Sequence, residues 1–112
     1  MIYKIKTKSD TAIIEAKDRR EAFAKYFADI ATGKIPLDRL GQIIILYDGK
    51  NEYPMRVAPI LWLLGVLDKK TAIENIKLVT GCCDREAERI LLKCAEKDSR
   101  LLTSIRACMD DE

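Results

Sequence analysis

The stretch Val57–Leu67, VAPILWLLGVL, is the longest nearly uncharged run in the chain and contains its only tryptophan, Trp62. A segment that is apolar on every side is either buried in a protein core or embedded in a membrane. This one has 11 residues, far short of the roughly 20 that a bilayer requires, so we expect a core helix anchored by a buried Trp62. Pro59 suits the first turn of such a helix, where its missing N–H is not needed, and Gly65 marks its end.

The residues before this stretch predict a small sheet. Ile2–Thr7 alternates apolar and polar residues, a period typical of a half-buried strand, and Thr11–Ala16 is predicted to return beside it as a hairpin. Gln42–Tyr47 contains four consecutive aliphatic residues, which favours a central strand covered on both faces. Glu52–Val57 is predicted to be a short edge strand, because Pro54 cannot donate a hydrogen bond to a neighbour.

One helix is predicted between these strands. Asp18 suits its N-cap, and Glu21 completes the spacing of a capping box. The helix is predicted to run to about Ala31, after which Gly33 suits the left-handed conformation that ends helices. Its buried stripe is expected to consist of Ala22, Phe23, Tyr26, Phe27 and Ile30. Ile35–Leu40 is expected to be a connector.

The residues after the apolar stretch predict helices. Lys69–Thr80 and Asp84–Lys97 show helical spacing, and Ser99–Met109 either continues the second helix or follows it after a break at Asp98. A single long helix over Asp84–Met109 would carry a stripe that could pack on the body of the protein or on the same helix of a second copy.

Together these elements predict a single α+β domain over residues 1–112. A small, mostly antiparallel sheet, built from the N-terminal hairpin and the central strand, is expected to pack with a helical C-terminal half. Residues 1–57 form the β-rich half with one helix, and residues 58–112 form the helical half.

The composition limits the classes of function. The chain is 48% hydrophobic and 34% charged, which is typical of soluble globular proteins. Its N-terminus lacks the features of a targeting segment, so we expect a cytoplasmic protein, and the abundant charges and isoleucines are compatible with a thermophilic source. The net charge is +2, or +5 over residues 1–109 with their 20 basic and 15 acidic side chains. This bias is milder than that of a typical nucleic-acid-binding protein.

No catalytic or metal-binding motif is present. The chain lacks histidine, the usual general acid and base at neutral pH, and it lacks a nucleophile elbow and a glycine-rich phosphate loop. Its four cysteines, Cys82, Cys83, Cys94 and Cys108, have poor spacing for zinc. We expect buried, reduced thiols, with a redox or intermolecular disulfide role as the alternative. A non-enzymatic protein without cofactor or metal is therefore expected.

Residues 71–102, which include NIKLVTGCCDREAERILLKCAEKDSRLL, resemble a winged helix-turn-helix domain. The residues that carry the resemblance are Ile76, Val79-Thr80-Gly81, Ala87, Arg89, Ile90-Leu91 and Cys94, with Leu101-Leu102 where the first wing strand would begin. Two short helices joined by a turn with a glycine are typical of this arrangement. The resemblance implies that a second helix, capped by Asp84, enters the major groove of DNA.

The same resemblance nominates residues for nucleic-acid contact. Arg85 and Arg89 would face the bases, since arginine–guanine pairing is the commonest specific contact, and Lys93 is a further candidate for nucleic-acid contact. Candidates for the phosphate backbone are Lys4, Lys6, Arg19 and Arg20, although an ordinary solvated face is the favoured explanation for them. Carboxylates at Asp84, Glu86 and Glu88 would repel DNA, and Ser99–Met109 fits a helix better than a wing.

Two functions are therefore expected from the sequence. The favoured one is a non-catalytic interaction or assembly module that dimerises, or docks on a protein partner, through its helical half. The alternative is a small DNA-binding transcriptional regulator with a helix-turn-helix at residues 71–97.

Overall fold

The computed structural model describes residues 1–37, 40–41 and 43–110. Its elements are β1 (Ile2–Lys6), β2 (Thr11–Glu15), α1 (Arg19–Ala31), β3 (Ile43–Tyr47), β4 (Glu52–Arg56), α2 (Val57–Leu63), α3 (Lys69–Thr80), α4 (Asp84–Lys97) and α5 (Ser99–Asp110). The predicted α+β class is confirmed. The greater part of the predicted connector lies among these residues, but its Asp38 and Arg39 lie outside them, as does Gln42 of the predicted central strand.

The four strands form one antiparallel sheet with the order β2-β1-β3-β4. The predicted hairpin is confirmed: the Thr7 hydroxyl accepts a hydrogen bond from the Asp10 amide at 3.1 Å and orders its turn. The predicted edge strand is also confirmed, with Pro54 opposite Ile45 on β3. Proline is tolerated at this edge because its missing N–H breaks no internal ladder.

Helix α1 begins and ends as predicted. The Asp18 carboxylate accepts a hydrogen bond from the Glu21 amide at 2.8 Å, which satisfies one of the open donors of the first turn. Gly33 follows the C-cap with a φ of 85°. The whole predicted stripe is buried, and Phe27 is completely enclosed.

The main core lies between the inner face of the sheet, α1, α5 and the start of α2. Helix α4 ends at Asp98, whose amide bonds to the Cys94 carbonyl at 2.9 Å, and α5 then packs along α1. Leu101 and Ile105 of α5 are buried in this core. Residues 84–109 are therefore two helices, and α5 has its apolar stripe covered within the same chain.

A second, smaller core joins α2, α3 and α4. Its buried residues are Ala58, Ala72, Ile76, Ala87 and Leu91. The bounds predicted for α3 and α4 are confirmed, and Gly81 ends α3 with a φ of 71°. The prediction that Asp84 caps α4 is wrong. Cys83 is the N-cap residue, while the Asp84 carboxylate pairs with Lys77 Nζ at 2.6 Å.

The central apolar stretch forms the predicted helix, and Gly65 marks its end as predicted, with a φ of 78° directly after the C-cap residue Leu64. Helix α2 ends at Leu63, and the amides of Val66 and Leu67 bond to the Leu61 carbonyl at 2.9 and 3.2 Å. This turn closes over the end of the helix. The first five residues of α2 are buried between the two cores, but Trp62 is only partly buried and packs against the second core. The predicted full burial of Trp62 is therefore wrong.

The prediction that the central strand is covered on both faces is also wrong. Ile44 and Leu46 of β3 are completely buried, whereas Ile43 and Tyr47 are exposed. The reason lies in the packing of the helices. Helices α1 and α5 share the core under the inner face, and α2–α4 pack around their own core instead of covering the second face. One face of the sheet therefore remains open to solvent.

Candidate interaction surface

The open face of the sheet, here called the outer face, is built by alternate residues of all four strands. The residues in this alternation are Ile2, Lys4, Lys6, Thr11, Ile13, Glu15, Ile43, Ile45, Tyr47, Glu52, Pro54 and Arg56. Successive side chains of a strand point to opposite faces, and the register aligns these residues into rows across the sheet. One row runs from Ile13 through Lys4 and Tyr47 to Glu52, and the next runs from Thr11 through Lys6 and Ile45 to Pro54.

The outer face exposes large apolar side chains on three neighbouring strands. The exposed fraction is 69% for Ile13, 57% for Ile2, 40% for Tyr47 and 39% for Ile43. An antiparallel sheet with one solvated face normally carries polar residues there. Large apolar side chains exposed together on one face are unusual and mark a site of interaction, so this face is the strongest candidate for one.

Lys4 and Lys6 lie in the middle of this apolar surface. Lys4 is opposite both Ile13 and Tyr47, and Lys6 is opposite Ile45. Both lysines are exposed. A lysine in such a position covers its apolar neighbours with its methylene groups and keeps its ammonium in water. Their positive charge therefore sits above an apolar layer.

The exposed apolar residues of the helical half are arranged differently. Leu78 and Val79 on α3 and Leu92 on α4 are exposed. Residues three and four positions away on a helix are neighbours on its surface, and for Leu92 these neighbours include Glu88, Arg89 and Glu96. Single exposed leucines among charges are ordinary on protein surfaces. The exposed apolar residues of the helical half are divided between two helices, whereas those of the outer face share one sheet.

Helices α3 and α4 do form the predicted helical pair, and α2 completes a three-helix unit. Ion pairs involve three carboxylates at the start of α4: Asp84 with Lys77 at 2.6 Å, Glu88 with Lys69 at 2.7 Å, and Glu86 with Arg89 at 3.5 Å. Hydrogen bonding to Asp84 and its charge raise the pKa of Lys77. The three carboxylates that would repel DNA are thus partly neutralised, although one of the pairs occupies Arg89.

The remaining residues nominated for nucleic-acid contact lie on separate surfaces. Arg85 and Lys93 are exposed on α4, and neither forms an ion pair within the part of the chain that the structure describes. Lys4 and Lys6 lie on the outer face. Arg19 and Arg20 begin α1 on the other side of the sheet, where the Arg19 guanidinium carbon lies 3.9 Å from the centre of the Tyr53 ring. The structure thus distributes the seven residues over three surfaces, and α5 stands where a wing would begin.

The cysteines are less buried than expected. Cys83 is exposed and the other three are partly buried, all four as free thiols. Two of them, Cys82 and Cys83, form the surface turn between α3 and α4, which explains their accessibility. Burial raises the pKa of Cys94. In residues 1–37, 40–41 and 43–110, no cluster of three or more histidine, cysteine or acidic side chains could hold a metal ion.

The comparisons with known proteins add no functional information. No protein-family model, curated protein or solved structure matches this chain significantly. Among the helices described here, none has the length and apolar character needed to span a bilayer.

Sequence reasoning missed the apolar residues of the outer face. Ile2 and Ile13 occupy the alternate strand positions that face solvent, the same positions as Lys4, Lys6 and Glu15. Isoleucine at such positions was the available sign of an exposed apolar surface.

Proposed function

We propose that this protein is a non-catalytic interaction module that forms a homodimer through the outer face of its sheet. The observation that supports this proposal is the exposure of Ile2, Ile13, Ile43 and Tyr47 on adjacent strands. In the helical half, which the sequence favoured as the docking surface, α5 buries Leu101 and Ile105 in the main core and so does not present them to a partner.

The outer face is complementary to itself. Strand β1 contributes the two lysines, whereas its neighbour β3 contributes Ile43, Ile45 and Tyr47. If two sheets pack face to face about a twofold axis parallel to the strands, β1 of one copy lies over β3 of the other. Lys4 and Lys6 then meet the aromatic ring and an isoleucine rather than other lysines. Such an interface is isologous and closed, as most homodimer interfaces are.

The size of the face sets the expected affinity. Four strands of five residues at standard spacings give a flat footprint of about 300 Å². A standard protein interface buries about 800 Å² on each partner. We therefore expect a reversible dimer with a micromolar dissociation constant rather than an obligate one.

Sedimentation velocity over a range of protein concentrations tests this proposal. The wild-type mass is expected to rise from that of a monomer towards that of a dimer, and Ile13→Lys is expected to remain monomeric. Leu78→Lys is the matched control, because it places the same charge on an equally exposed apolar residue outside the outer face. A wild-type protein that stays monomeric at about 500 μM, or a dimer lost in the Leu78 variant and kept in the Ile13 variant, would refute the proposal.

A second candidate function, duplex DNA binding by the α3–α4 pair, is favoured by one observation. The acidic side chains at the start of α4 are held in ion pairs while Arg85 and Lys93 are not. We expect such binding to show a dissociation constant of about 10⁻⁴ to 10⁻⁶ M and to weaken steeply with salt.

Titration of a labelled random duplex at two salt concentrations tests this candidate. An R85A/K93A variant should lose affinity, whereas a K8A/K50A variant, which removes two exposed charges from the hairpin turns, should keep it. Equal losses in the two variants would contradict a role for α4.

A further inference from the structure

A second feature of the surface is a groove between the start of α1, strand β4 and the α4–α5 junction. This α1–α5 groove has a volume of about 610 Å³, within the range of about 300–1,000 Å³ typical of small-molecule sites. Its cationic side chains are Arg19, Arg20, Lys97 and Arg100. The groove is separate from the outer face, because Met55, which lines it, belongs to the inner side of β4.

The four cations of the groove are not neutralised by ion pairs. None of them lies within 4.0 Å of a carboxylate in the described part of the chain. On the α3–α4 surface, by contrast, Lys69, Lys77 and Arg89 are each paired. Four unpaired cations around one concavity repel each other and produce a focused positive potential.

Two carboxylates, Asp18 and Asp98, offset half of this charge. Asp18 is engaged as the N-cap of α1, where it accepts the Glu21 amide at 2.8 Å. Asp98 is partly buried, and its burial raises the pKa of this carboxyl. Four cations and two carboxylates leave a lining charge of +2. Helix α1 begins at the groove, and the positive end of its dipole adds to the potential, whereas the start of α5 is opposed by the end of α4 at the same junction.

The groove also provides ordered donors and an apolar floor. Arg19 is held by the ring of Tyr53, and Phe23, Met55 and Leu101 lie beneath the charges. Guanidinium groups donate two parallel hydrogen bonds to phosphate oxygens, a geometry that an ammonium cannot match. Cations over an apolar floor suit a ligand with an anionic end and a less polar body.

We propose that the α1–α5 groove binds a phosphorylated small molecule with two or more adjacent phosphate groups, and that Arg20 and Arg100 are its principal phosphate ligands. Both arginines are exposed and are free to turn towards a bound anion. The proposal does not depend on the dimer, because the outer face contributes no residue to the groove.

Calorimetric titration of the full chain with inorganic pyrophosphate tests this proposal. R20A/R100A is expected to bind at least about tenfold more weakly than the wild type. R20K/R100K keeps the charge but loses the paired donors, so its affinity for pyrophosphate should lie between those of the wild type and R20A/R100A. The matched control is K8A/K70A, which removes two exposed positive charges outside the groove and should change the affinity by less than about twofold.

Circular dichroism spectra and unfolding midpoints of the variants establish that they remain folded. Absence of wild-type binding at about 10 mM pyrophosphate, or equal losses in R20A/R100A and K8A/K70A, would overturn the proposal. Binding of duplex DNA that is lost in R20A/R100A, without binding of pyrophosphate, would overturn it in favour of a nucleic-acid backbone.

Discussion

Lys4 on β1 and Tyr47 on β3 lie directly opposite each other on the outer face of the sheet. Cross-strand neighbours of this kind have their Cβ atoms about 4.5–5.5 Å apart. Lys4 therefore lies between two exposed apolar side chains, Tyr47 on one neighbouring strand and Ile13 on the other. A face with this pattern combines positive charge with exposed apolar side chains.

The first prediction concerns Lys4 itself. In the proposed dimer Lys4 meets Tyr47 of the second copy, and a cation over an aromatic face contributes about 0.5–1 kcal/mol at an exposed site. Lys4→Glu places a negative charge against the negative face of the ring and near Glu52. We expect the dimer to weaken at least about fivefold in sedimentation experiments.

The stability of the monomer should change little, because Lys4 is exposed; urea unfolding is expected to show a change within about 0.5 kcal/mol. Lys8→Glu, with the same change of charge in the adjacent turn, is the control and should leave the dimer intact. Equal weakening by both variants would indicate a general charge effect rather than a contact at the outer face.

The second prediction compares two aromatic residues. Phe27 is completely buried in the main core, whereas Trp62 is only partly buried beside the second core. Phe27→Ala should therefore cost about 3–5 kcal/mol of unfolding free energy, and Trp62→Ala should cost less, about 1–3 kcal/mol. Urea unfolding followed by circular dichroism measures both values. A larger cost for the Trp62 variant would contradict the observed position of α2.

The difference between these two residues illustrates what the sequence can predict. Phe27 belongs to a periodic stripe on a capped helix, so its burial follows from local spacing. Trp62 lies in a run that is apolar in every direction, so the spacing cannot reveal which of its side chains face a core. The end of the helix was predictable, because Gly65, with a φ of 78°, is a local signal for the turn in which Val66 and Leu67 bond to the Leu61 carbonyl.

The same reasoning applies to the candidate site. The run around Ile44 fits a strand covered on both faces as well as a strand covered on one. Only one face is covered because α5 packs with α1 on the inner side and leaves Ile43 and Tyr47 exposed. The position of α5 depends on long-range packing, which a local sequence pattern does not encode. The helical pair, by contrast, was predictable because Gly81 and the spacing of Ala72 and Ile76 are local signals.

The third prediction concerns the second core. Ala87 is completely buried at the centre of the contact among α2, α3 and α4. Ala87→Leu inserts three carbon atoms into this contact, and overpacking typically costs about 1–3 kcal/mol. Hydrogen exchange should become faster in α3 and α4, while β1 and β3, in the main core, keep their protection.

Leu92→Ala is the control for the third prediction, because Leu92 is exposed on the same helix. It should leave the exchange rates in both cores unchanged. A uniform acceleration of exchange across the sheet and the helices of the Ala87 variant would show that the two cores unfold as one unit.

The fourth prediction follows from the ionisation of Asp98. Burial raises the pKa of its carboxyl above the ordinary value of 3.8, so the folded state binds this proton more tightly than the unfolded chain. The stabilising contribution is complete below the pKa of the unfolded chain and is lost as the pH rises through the folded pKa. At neutral pH the ionised carboxylate is therefore a source of instability.

Asp98→Asn removes that charge and keeps the shape of the side chain. The variant should unfold at a higher temperature than the wild type at pH 7, and the difference should vanish below about pH 3.8, where the wild-type carboxyl is protonated in both states. Glu96→Gln, an exposed carboxylate on the same helix, controls for the general loss of negative charge. A stabilisation of Asp98→Asn that persists unchanged to low pH would locate its origin in packing or hydrogen bonding instead of ionisation.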